Sequence, residues 1–136
     1  MGTWAIDALG NDGACDWAYD LDEYNDLSLV EEALNKALAG GAEYLESLDA
    51  CEALAAIEVI ARLQGNWGEK NAYSESIDVW VEKTKLVPSK ALAEKAHTVI
   101  ERILAEDSEL KELWQESEEF DAWEASVKNL AGRIHV

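Results

Sequence analysis

The chain has 136 residues, 49% of them hydrophobic and six of them Trp, which is enough for one ordinary domain with a substantial core. Its 29 Asp and Glu stand against 11 Lys and Arg, a formal charge of −18. Such a surface repels nucleic-acid phosphates and anionic lipid headgroups and attracts cations and basic proteins, while the hydrophobic content excludes a disordered acidic tail.

In chain order, Asn11 or Asp12 can cap a short helix that places Ala14, Trp17, Ala18 and Leu21 on its inner face. Ser28 with Glu31 three residues on reads as a capping box, opening a helix with Val30, Leu34, Ala37 and Leu38 inward and stopping at Gly40-Gly41. The clearest helix spans 49–64. Asp49 and Glu52 can cap it, Ala53, Ala56, Ile57, Ile60, Ala61 and Leu63 line one side, and Gly65 ends it. Residues 65–74 read as a loop. A helix over 75–85 follows, with Ile77, Trp80, Val81 and Thr84 on one stripe. It breaks at Val87-Pro88-Ser89, because proline lacks a donor and disfavours a helical residue before it. Ser89 then caps a helix carrying Leu92, Ala93, Ala96, Val99, Ile100, Ile103 and Leu104. Ser108 starts another with Leu110, Leu113 and Trp114, and Phe120, Trp123, Val127, Leu130 and Ile134 mark a last one.

No segment shows a period of two between hairpin turns, so the expected fold class is all-α: a single compact bundle of six or seven helices over 1–136, with an irregular N-terminal arm. No secretory signal and no run of about 18 apolar residues is visible, which sets the expectation of a cytoplasmic protein away from the membrane. In that reducing setting Cys15 and Cys51, each beside an alanine, read as small buried apolar residues.

Several blocks have a familiar order. Gly2-x-Trp4, then Asn11-Asp12-x-Ala14-x-Asp16-Trp17, resembles the opening of a bacterial family, domain of unknown function 4259. So do Ala53-Leu54-Ala55-Ala56-x-Glu58 with Ala61 and Gly65, and Ser108-Glu109-Leu110-x-x-Leu113-Trp114 with Trp123 and Leu130 beyond. The chain departs from the family pattern at Ala5, where Gly is usual, and at Ala8-Leu9, where a Pro-aromatic pair is usual. The resemblance covers nearly the whole chain. It implies a compact helical domain with no established activity, and relatives beside toxin genes suggest an immunity role.

Three functions compete. The acidic clusters, at Asp16, Asp20, Asp22, Glu23 and Asp26 and again from Glu106 to Asp121, suit an interface for a basic protein. The residues expected to carry that contact are Asp16, Asp20, Glu23, Glu116, Glu119 and Asp121, with Trp67, set between Asn66 and Gly68, as an aromatic anchor. On this reading the protein is non-enzymatic and takes no cofactor. The alternative is a Mg²⁺- or Mn²⁺-dependent nucleotide hydrolase built on Glu43-x-x-Glu46 and Glu75-x-x-Asp78, since residues three apart share a helix face and hard cations want several oxygens. About six acidic pairs at that spacing arise by chance in so acidic a chain, and a solvated helix face explains them more simply. The third reading is a structural scaffold with no dedicated acidic interface. His97 and His135 have no cysteine close by in sequence, which argues against zinc.

Overall fold

The computed structural model describes residues 12–39, 44–68, 70 and 74–136. The arm before Asp12, including Trp4, and the Gly40-Gly41 stop lie outside these residues. Seven helices run through the described chain: α1 (Asp12–Leu21), α2 (Ser28–Ala39), α3 (Ser47–Leu63), α4 (Glu75–Thr84), α5 (Lys90–Leu104), α6 (Glu109–Gln115) and α7 (Phe120–Gly132). The all-α expectation is met, with helix boundaries within two residues of those read from sequence. Among the described residues one isolated backbone bridge joins Leu45 to Ser108.

α3 is the axis. Each of the other six helices packs against it. The spacing of apolar residues suggested one buried side; instead every residue from Ala50 to Arg62 except Glu52 is buried, and Leu63 is only half-buried. A helix covered all round must be largely apolar, and over residues 50–62 only Glu52, Glu58 and Arg62 depart from that. Ala50, Ala53, Ala55, Ala56 and Ala61 let neighbouring backbones come close, while Ile57, Val59 and Ile60 fill the gaps between them. Full burial of each of those three larger side chains is worth about 1.5–3 kcal/mol.

The helix ends use side chains as follows. Ser89 Oγ accepts from Leu92 N–H at 3.1 Å and Ser108 Oγ from Lys111 N–H at 3.5 Å, so both serines cap as their positions imply. The capping box at Ser28 does not form. Ser28 is already helical, and its N–H and hydroxyl both donate to Asp26 Oδ1, at 3.0 and 2.6 Å; these bonds hold the Asp26 carboxyl below its ordinary range. Nor do Asp49 and Glu52 cap α3. The Ser47 N–H donates to Glu109 Oε1 of α6 at 2.7 Å, and Asp49 and Glu52 instead face Lys36 of α2 at 3.9 and 3.1 Å. A cap supplied from 62 residues away is invisible to local pattern. At its far end α3 stops on Gly65, whose φ of +87° is open to glycine at little cost.

The tryptophans confirm the core. Trp17, Trp80, Trp114 and Trp123 are all buried. Trp80 Nε1 donates to the carbonyl of Tyr24 at 2.8 Å, fastening the α1–α2 turn to α4. Trp114 and Trp123 stack with centroids 6.1 Å apart and planes 9° from parallel, and they form the corner between α6 and α7. Of the cysteines, Cys51 is buried as expected and its thiol is pushed up to about 12 by burial, then by Glu52. Cys15 is exposed, contrary to expectation: position 15 of α1 falls between the buried Ala14 and the outer residue Asp16, on the solvent side. No helix among the described residues is long and apolar enough to cross a membrane.

Candidate functional site

Two kinds of charged site are built on this frame. One is outside. α1 buries Ala14, Trp17, Ala18 and Leu21, which forces Asp16, Tyr19 and Asp20 outward at the complementary positions, and Glu23 is exposed in the turn that follows. The result is a face of carboxylates around a tyrosine that is 81% exposed. Tyr19 was not singled out from the sequence, although its place between two outward aspartates was a usable signal. Glu116, Glu119 and Asp121 are also exposed, at the α6–α7 corner. α1 packs on α3 and α4, whereas α6 and α7 pack on α3, α5 and each other. The acidic candidates therefore occupy two separate stretches of surface.

The other site is inside, and the sequence reading missed it. Arg62 of α3 is 1% exposed at its side chain. Its guanidinium pairs with Glu58 one turn earlier, and its Nε donates to Asp78 Oδ1 of α4 at 2.7 Å. Asp78 Oδ2 accepts from Ser74 Oγ at 2.7 Å. Glu58 also meets Arg133, just past α7, with Nη2 donating to Oε1 at 2.5 Å. Two carboxylates face two guanidiniums, and the formal charges cancel. A buried ion of this kind persists only when paired and hydrogen-bonded, and Glu58, Arg62 and Asp78 each are, while Arg133 closes the cluster from a partly exposed position.

Trp67 sits on the rim of this cluster. It is half-buried against the core, with the Arg62 guanidinium 5.9 Å and Lys70 Nζ 4.2 Å from its ring centroid. Gly68 lies so close to Arg133 that a Cβ there would come within 2.8 Å of Nη1.

The carboxylates of the hydrolase reading take different positions. Glu46 and Glu75 are exposed, Asp78 is held by Arg62 and Ser74, and Glu43 lies outside the described residues. Among the described residues no three His, Cys, Asp or Glu side chains converge as metal ligands. His97 Nε2 meets the carbonyl of Ile134 at 3.0 Å, and the backbone of His135 pairs with the side chain of Gln64.

At the edge of α6, Tyr44 Oη donates to Glu112 Oε1 at 2.7 Å. That bond, with the fields of Glu112, Glu109 and Asp107, pushes the phenol up to about 12.

These features define an acidic all-α domain with an apolar central helix, a neutral charge cluster within and unbalanced carboxylates without. The family model described as Domain of unknown function (DUF4259) matches residues 2–126, and the chain belongs to that family. No curated protein and no solved structure matches it.

Proposed function

We propose that this chain is a non-enzymatic protein-binding domain that captures a basic partner on the outer face of α1, in the manner of an immunity or regulatory inhibitor. The observation that carries this reading is Tyr19. An aromatic ring 81% exposed on a helix whose other face is fully packed contributes little to the fold, and tyrosine is among the residues that dominate interface energetics. Asp16, Asp20 and Glu23 surround it with negative charge, which steers a cationic partner and raises association rates by roughly 10- to 1,000-fold at low salt. Glu116, Glu119 and Asp121 extend the attracting field from the second acidic stretch. Trp67 is a reserve anchor, available once its packing against the core loosens.

The test uses the partner recovered from the source organism with the intact chain as bait. Its association rate is measured for the natural protein and for Asp16→Lys/Asp20→Lys/Glu23→Lys, each at low and high salt. The expected result is association at least tenfold slower for the variant at low salt, with most of the salt dependence gone. An unchanged, salt-independent rate would place the contact elsewhere and favour a scaffold.

A further inference from the structure

We propose that residues 133–136 form a strap whose docking is coupled to the loop after α3, so that tail and loop open as one unit. Beyond α7 the backbone is held largely by side chains. Gln64 Nε2 donates to the His135 carbonyl at 2.7 Å and its Oε1 accepts from the His135 N–H at 2.8 Å. Asn66 Nδ2 donates to the Arg133 carbonyl at 2.9 Å, and Arg133 Nη1 returns a bond to the Asn66 carbonyl at 3.3 Å. His97 holds the Ile134 carbonyl, and the Ile134 side chain is buried.

The loop and the strap thus satisfy each other, and charge makes the dependence stronger. With the strap closed, Arg62 and Arg133 balance Glu58 and Asp78. With it open, two buried carboxylates share one guanidinium, which weakens the seat on which residues 64–68 rest. Opening the loop, in turn, removes four of the bonds that hold the strap. The device works whether or not the acidic face of α1 binds a protein. Its consequence is that the loop carrying Trp67, packed beside Arg62, moves with the strap.

Hydrogen exchange on the full chain tests the coupling. Gln64→Ala removes both bonds to His135 and leaves every charge in place. It should accelerate exchange roughly tenfold both at the tail and at the amides of Gly65 and Asn66, which bond to the carbonyls of Arg62 and Ala61, with α1 and α2 unchanged. Arg133→Gln should give the same pattern with a larger factor. Acceleration confined to 133–136, or spread equally over α1 and α2, in the Gln64 variant would overturn the proposal.

Discussion

The charge cluster around Arg62 and the acidic face of α1 are built from the same residue types and do opposite things. Inside, Glu58 and Asp78 are each within hydrogen-bond reach of a guanidinium, and their fields cancel within a few ångströms. Outside, Asp16, Asp20 and Glu23 face water with no ion pair among the described bridges. Paired charge in a largely buried site fixes where α3, α4 and the residues after α7 sit. Unpaired charge in water fixes nothing about the fold and is left to act at a distance. A strongly acidic composition is therefore two populations, and only the second bears on partners.

The comparison can be broken first at the cluster. Asp78→Ala leaves the Arg62 guanidinium buried without its partner on α4 and should cost about 3 kcal/mol, read as a lower urea midpoint with an unchanged slope. A loss well under 1 kcal/mol would mean that water reaches Arg62. Next in size is a neutral, part-buried bond. Trp80→Phe deletes the Nε1 donor to the Tyr24 carbonyl and should cost about 1 kcal/mol in the same assay, more if the smaller ring leaves a void. Smallest is the surface bridge from Lys36 to Asp49 and Glu52. These bonds raise the lysine above its ordinary value, first through the hydrogen bond to Glu52, yet nearly half of the side chain is exposed. Lys36→Gln should cost no more than about 0.5 kcal/mol, and less in high salt.

The two cysteines give an independent contrast between inside and outside. Alkylation of the native protein at mild alkaline pH should label Cys15 and spare Cys51, as peptide mass spectrometry would show. The sign of the pH effect follows from the raised Cys51 thiol. Folding favours its neutral form, so this contribution is complete below pH 9, the ordinary value, and is lost as pH rises toward about 12. Cys51→Ala should flatten the fall of stability across that window; an unchanged profile would assign the alkaline loss to other groups.

Much of the fold was legible because it is local. Caps at Ser89 and Ser108, the break at Pro88 and the stop at Gly65 each depend on residues within a turn or two. Two of the errors are local, the capping box that Asp26 displaces at Ser28 and the outward place of Cys15 on α1, and the rest come from contact over long separations. Ser47 takes its cap from Glu109, and α3 is buried on sides that its own periodicity marks as free. The same limit hid the cluster. Glu58 and Arg62 stand one turn apart in an otherwise apolar run, a visible sign of a buried pair, but Asp78 and Arg133 reach them from 16 and 75 residues away. On the surface the reverse held: outward positions of α1 follow from its inward ones, so the exposure of Asp16 and Asp20, and of Tyr19 between them, is legible from local pattern alone.

The most direct measurement compares equal numbers of neutralised carboxylates at the two places. Urea unfolding of Glu58→Gln/Asp78→Asn should show several kcal/mol lost, while Asp16→Asn/Asp20→Asn should unfold within about 0.5 kcal/mol of the natural chain. Equal losses in the two doubles would contradict the division of labour on which the reading of the α1 face depends.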